Sequence, residues 1–264
     1  VRSSEWISLL YFLYLGIVCW LRPLPFGRRA LIAGVSLALI GAIIGIAVDA
    51  SGPIRDWAPL VYISFGYYLT GRLFVRPSER LERWLMGWDY RLLGDPTTRF
   101  ARWPAWLVGY LDIVYMFCFL LLPAGYAALA ATGHASLSNH YWTMVAAADL
   151  GAFAPLSVFQ TRPPWMLEKR GPVLAARSAH RMASLMVENA TIRVNTFPSG
   201  HVAVSLAIAF GVMGALPWTG VVLLALAASI SVACVMGRYH YVVDVLAGAA
   251  LGFIVSGLTV LSGV

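Results

Sequence analysis

The sequence predicts an all-α protein: a polytopic membrane helical bundle of six to eight transmembrane helices, with further helices lying in the interface. Three observations predict it. The 264 residues are 60% hydrophobic and only 12% charged, with a mean hydropathy of +0.75; a soluble domain carries about 25% charged residues. The apolar residues gather in runs close to the ~20 that a membrane-crossing helix needs. Tryptophans 57, 103, 106, 142 and 218 stand at the ends of those runs, as in interfacial aromatic belts. Such a composition excludes a soluble globular enzyme. The net charge of +7 reads as basic loops flanking spans, which set topology or meet anionic lipid, and calls for no nucleic-acid partner.

Taken in order, the candidate spans are 6–21, 30–48, 57–75, 106–131, 141–159, 199–216, 218–236 and 241–262. The first is short and 57–75 carries Arg72, hence the range of six to eight. Between them, 76–105 sets Leu81, Trp84, Leu85 and Trp88 at helical spacing with Glu82, Arg83, Asp89 and Arg91 interspersed, an amphipathic helix lying in the interface. A second such helix is expected over 172–190, where Arg177, Arg181, Ser184 and Glu188 form one stripe. Both read as surface-lying connectors, the second also as the border of a lipid entry route. Cys19, Cys118 and Cys234 lie inside apolar runs with neither disulfide nor zinc spacing and read as packing residues. No cleavable signal peptide is expected in 5–21, which lacks a strongly basic flank and a small-residue cleavage site.

Three short stretches carry chemistry. In "HYVVD", His240 and Asp244 are four residues apart and share a helix face. A carboxylate holding the imidazole Nδ1 proton leaves Nε2 a lone pair, an oriented nucleophile. In "FPSGH", Ser199 and Gly200 open an apolar helix whose first N–H groups can receive an anion, and His201 stands in the first turn, placed to act as a general acid. In "FQTRPPW", prolines end a span just after Arg162, a guanidinium suited to bidentate phosphate contact at the membrane surface. Threading the spans brings Arg162, Ser199, His201, Arg238, His240 and Asp244 to one membrane face. A nucleophilic His–Asp pair, an acidic histidine and arginines around an anion cradle describe phosphoryl transfer through a phosphohistidine. No cluster has metal-ligand spacing, so neither metal nor other cofactor is expected.

These stretches resemble the three signature motifs of the type 2 phosphatidic acid phosphatase (PAP2) superfamily, which end in R-P, P-S-G-H and S-R-x5-H-x3-D. The matching residues are "RP" at 162–163, "PSGH" at 198–201 and "HYVVD" at 240–244, and the resemblance covers roughly 105–260. It implies a PAP2-like six-helix core, with N-terminal transmembrane helices over 1–56 and a catalytic membrane domain over 57–264. By resemblance His240 would be the nucleophile, Asp244 its orienter and His201 the general acid, with Arg162, Ser199 and Gly200 binding phosphate. Pro155 stands where the first motif opens with lysine, and one residue instead of five separates Arg238 from His240. Arg193, Lys169 and Arg170 are candidates for the missing charge. "HYVVDVLAG" and "PPW" look like the sphingolipid-synthase branch, which includes inositol phosphorylceramide synthases and moves a phosphorylated headgroup from a phospholipid to a lipid alcohol. "PSGH" is the common phosphatase form. The expectation is therefore transfer of an inositol-phosphate-like headgroup between a phospholipid donor and a lipid alcohol in the bilayer. The alternatives are hydrolysis of phosphatidate-like or polyprenyl-phosphate lipids by water and, from another class, a transporter or scaffold that keeps the motif without turnover.

Asp112 and Asp149 fall within spans, where carboxylates are costly and point to function by default. Asp149 precedes Gln160 by eleven residues, which at ~1.5 Å per residue would place it roughly 16 Å deep, near the midplane; it would line a polar headgroup cavity or serve as a buried hydrogen-bonding group. Sidedness follows from charge. Of the 19 Lys and Arg residues, only Arg2 and Arg55 fall opposite the loops 22–29, 76–105, 160–198 and the 237–240 junction. The positive-inside rule then places the catalytic face in the cytoplasm. A single cysteine at Ser178 in a cysteine-free background, probed in intact cells with a membrane-impermeant thiol reagent, is expected to label only after the membrane is opened. Rapid labelling from outside would refute the cytoplasmic assignment.

Overall fold

The computed structural model describes residues 1–49, 52–168, 191–195 and 197–263. The expected interfacial helix at 172–190, together with Lys169, Arg170 and Ser178, lies outside the described residues. Among these the chain is helical, with no strand beyond an isolated antiparallel bridge between Thr161 and Asn195. The helices are α1 (Ser3–Leu21), α2 (Phe26–Asp49), α3 (Pro53–Gly71), α4 (Glu79–Leu93), α5 (Pro96–Ala101), α6 (Ala105–Met116), α7 (Leu121–Ala131), α8 (Ser138–Phe153), α9 (Gly200–Met213), α10 (Pro217–Met236) and α11 (Val242–Ser262).

Local chemistry sets many of the ends. Pro53, Pro96 and Pro217 stand in the first turns of α3, α5 and α10, where their missing N–H costs nothing. Ser78 and Asp95 cap α4 and α5, accepting from the N–H groups of Leu81 and of Thr97 and Thr98. Gly94, at φ 71°, ends α4 in a conformation that side chains resist.

Every expected span is helical, but only α1, α2, α10 and α11 are long and apolar enough to cross a membrane alone. A fifth span forms if α6 and α7 count as one, because the expected helix over 106–131 is bent by 42° at the 3₁₀ turn Cys118–Leu120. α3 has the length but not the hydropathy, and α8 and α9 have 16 and 14 residues. The reason is position. α8 buries 12 of its 16 residues and α9 buries 11 of its 14, whereas α2 buries only the stripe Ile32, Ser36, Leu39 and Ile43. A helix wrapped by other helices faces protein and not lipid, so neither its length nor its surface has to match the bilayer. α8 and α9 pack on each other; α1, α3 and α11 close around α8, and α7, α10 and α11 close around α9. Trp142 is a correction: expected at the interface, it is fully buried in the core with Tyr126 and Tyr141.

The two ends of the bundle differ. At one, Arg2 pairs with Asp56 at 2.7 Å and Arg55 grips Glu5 with two bonds of 2.7 and 2.8 Å. At the other, the Gln160 side chain bonds the N–H groups of Val75 and Arg76 and the carbonyl of Leu73, joining the ends of α3 and α8.

α4 forms where the amphipathic helix was expected. Its buried residues are Glu82, Leu85 and Asp89, and Trp84 is half exposed, with Tyr90 and Leu92 also outward. The carboxylates turn inward because arginines wait there, as shown below, and the aromatic face is left exposed.

α11 meets the start of α9 through glycines four residues apart. A Cβ on Gly248 would stand 2.5 Å from the Ser199 carbonyl oxygen, and one on Gly252 3.0 Å from that of Ala203. Small residues at this spacing let backbones touch. Gly257, on the same helix, has open space around it. Gly248→Ala is expected to destabilise the detergent-solubilised protein by about 1–3 kcal/mol, the range for overpacking, and to abolish turnover, while Gly257→Ala leaves both intact. Equal melting temperatures for the two variants would refute this account of the contact.

Candidate active site

Two helix starts and one loop build the site. α10 ends at Met236, and the Cys234 carbonyl then accepts from the N–H groups of both Tyr239 and His240, at 2.9 and 3.1 Å. This tight reversal, with Arg238 at φ 59°, throws His240 back over the bundle. Asp244 sits in the first turn of α11 and accepts the Tyr241 N–H at 2.9 Å. The Ser199 N–H donates to the Asp244 carbonyl at 3.0 Å, which docks the start of α9 onto the same turn.

The result brings His240 Nε2 to 3.4 Å from His201 Nδ1. Behind it, His240 Nδ1 stands 3.6 Å from Asp244 Oδ2, a few tenths of an ångström beyond a hydrogen bond. Burial pushes the His240 imidazole down to about 4, so at neutral pH the ring is uncharged and keeps a nitrogen lone pair. His201 is held between rings: Tyr115 stacks on it at 5.3 Å and Phe119 meets it edge-on at 5.2 Å. Tyr115 also stacks on Tyr239 at 4.0 Å. Tyr115 and Phe119 flank the break between α6 and α7, which delivers both to the histidine.

Both histidines open into a cavity of about 370 Å³. Its apolar wall comes from α3, α7 and α8, including Leu60, Ile63, Leu122 and Phe153, and its polar wall includes Arg193 and Asp149. That shape, mostly apolar with a few convergent polar groups, suits an amphiphile.

The residues expected at the site from sequence divide into two groups. His201, His240 and Asp244 come together; Ser199 is fully buried at the cap of α9, and Arg193 and Asp149 line the cavity. Gly200 is a close-approach glycine: a Cβ there would lie 2.8 Å from the Phe153 ring and 3.2 Å from Asp149 Oδ1. Asp149 therefore stands beside the start of α9. The helix carrying it stops at Phe153 and gives way to a 3₁₀ turn containing Pro155, which cannot supply a helical N–H. Asp112 is buried in α6 and does not line the cavity.

Arg162 and Arg238 do not line it either; both are held by carboxylates. Arg162 donates its backbone N–H and Nε to Glu82 Oε1, at 2.8 and 3.0 Å, and a third bond of 2.8 Å to Oε2. Arg238, buried, bonds Asp89 at 2.7 Å and Glu168 at 2.8 and 2.7 Å. Asp89 also accepts the Val242 N–H, at the first residue of α11, at 2.8 Å. α4 thus clamps the loops that carry the first and third motifs. Glu82 and Asp89 are seven residues apart and on one face, a spacing visible in the sequence, but nothing there names their partners. Counting back from His240 by the five-residue spacing of the PAP2 third motif lands on Cys234, fully buried.

Removing Asp89 leaves Glu168 on Arg238 but deletes two charge-assisted bonds, from Arg238 and from the Val242 N–H, worth about 3 kcal/mol together. Asp89→Ala is expected to lower the stability of the purified protein by about that amount, and Glu79→Ala, an exposed pair with Arg83, by less than about 1 kcal/mol. Denaturation of both variants checks this; similar losses would show that α4 does not hold the third-motif loop through Asp89.

No curated protein and no solved structure matches the chain. Residues 138–263, from the start of α8 to the end of α11 and including Arg162, His201, His240 and Asp244, match the model of the PAP2 superfamily.

Proposed function

We propose that the protein is a membrane-embedded lipid phosphotransferase of the PAP2 type, working through a phosphohistidine on His240 without a metal. One observation carries this: a buried imidazole and a partly buried one, 3.4 Å apart, share a cavity with an arginine, and the buried one is backed by a carboxylate. His240 Nε2 attacks phosphorus, forming a P–N bond as the bond to the leaving oxygen breaks. His201 protonates that oxygen; negative charge on a phosphate beside it favours the protonated imidazole. In the second half, His201 takes the proton of the acceptor hydroxyl, whose oxygen attacks phosphorus, and the electron pair of the P–N bond returns to Nε2. Asp244 orients the ring and stabilises its positive charge. Arg193 lies where it can neutralise the phosphoryl oxygens, so positioning and electrostatics supply most of the rate.

The proposed acceptor is a lipid alcohol and the transferred group a headgroup phosphate of the inositol-phosphate kind. The likeness of "HYVVDVLAG" to sphingolipid synthases supports this, as does a cavity walled largely by apolar side chains. The site is proposed to face the cytoplasm, on the charge distribution of the loops.

The test is purified protein with labelled phosphoinositide and a lipid alcohol. A new phospholipid supports transfer, and free phosphate or free inositol phosphate assigns hydrolysis in its place. His240→Ala is expected to abolish phosphoenzyme and turnover, and His201→Ala to lower kcat by about 10²–10⁴, the usual worth of general acid catalysis. Near-wild-type activity in either variant overturns the mechanism. A protein that neither binds vanadate nor turns over any phospholipid is a transporter or scaffold.

A further inference from the structure

The proposed chemistry leaves one cavity group unused. Asp149 is 7% exposed, and it lines the cavity that holds both histidines. Among the described residues no hydrogen bond or ion pair to its side chain is recorded, unlike Glu82, Asp89 and Glu168, each gripped by an arginine. A buried carboxylate inside a membrane bundle is costly unless something hydrogen-bonds to it. Its place is specific: Oδ1 lies against Gly200, the residue before His201, which carries no side chain to cover it.

An ionised Asp149 would repel a phosphate, so the partner inferred for it is a group beside the phosphoryl oxygens and not the phosphate itself. Ionised, it can only accept hydrogen bonds, and its complement is a hydroxyl or an ammonium. Its position next to His201 sets the reach. The donor group must lie on the carbons adjoining the phosphate ester, or on the hydroxyl that attacks phosphorus.

We propose that Asp149 is a specificity-determining residue that accepts a hydrogen bond from a hydroxyl or ammonium beside the reacting phosphate, so that the cavity favours lipids bearing such a donor over plain phosphatidate. The inference rests on the phosphoryl-transfer reading of the site. Two sources share the chemistry, the phosphorylated lipid itself and the acceptor alcohol, and the experiment separates them.

In nanodiscs, kcat/KM is measured for a 1-acyl glycerol 3-phosphate with a free 2-hydroxyl, for its 2-O-methyl ether, and for phosphatidate. A hydrogen bond to a charged group is worth roughly 10- to 100-fold. If Asp149 reads the phosphorylated lipid, wild type prefers the free hydroxyl by about that factor, and Asp149→Asn removes the preference through KM while phosphatidate turnover stays within about threefold. If it reads the acceptor, the three substrates are alike, and Asp149→Asn lowers the ratio of transfer to hydrolysis with a long-chain alcohol by about the same factor. A merely structural aspartate would reduce all rates together, and that outcome overturns the inference. So does a wild type that is indifferent both to the 2-hydroxyl and to added alcohol, a readout that needs no variant to fold. Wild type inactive on these three lipids and also on the labelled phosphoinositide sinks the phosphoryl-transfer reading itself and this inference with it.

Discussion

A single backbone hydrogen bond, from the Ser199 N–H to the Asp244 carbonyl at 3.0 Å, sets the geometry on which the site depends. It joins the start of α9 to the first turn of α11, and through them two histidines 39 residues apart in the chain. The bond forms because Gly248, one turn further along α11, has no Cβ to hold the backbones apart. Replacing a glycine here changes a distance and not a charge, yet it moves His240 relative to His201. Displacements of about 1 Å between reacting groups cost on the order of 100-fold.

The clamp from α4 is a second layer on the same contact. Glu82 holds the first-motif loop and Asp89 the third, and Asp89 also takes the first N–H of α11. Buried ion pairs of this kind contribute little net stability over an apolar core, because desolvation consumes most of the Coulomb gain. They select one arrangement, since any slip leaves an uncompensated charge. Arg162 and Arg238 are both held by carboxylates, and among the described residues Arg193 is the arginine that lines the cavity. The outer face of α4 exposes Trp84, Tyr90 and Leu92.

Much of this was legible in the order of residues. Apolar runs located the helices to within a few residues, because a chain without water must satisfy its backbone internally. The i, i+4 spacing of His240 and Asp244 placed both on one turn, and threading the spans brought His201 to the same end. That Asp149 stands beside the start of α9 was not legible, because the contact joins residues 51 apart in the chain. The burial of Trp142 was misjudged because apolar composition does not distinguish a lipid-facing helix from an encased one.

The sequence by itself determined the all-helical membrane class, the His–Asp pair and its companion histidine, since each depends on local periodicity or on neighbours within one turn. Only the tertiary structure decided which charges meet. Glu82 finds Arg162 across 80 residues and Asp89 finds Arg238 across 149, while Tyr115 reaches His201 from a break in another helix. Electrostatic and packing partners in a bundle are chosen by the angles and heights at which helices cross. Those are set by the sum of many small contacts, which no short stretch of residues encodes.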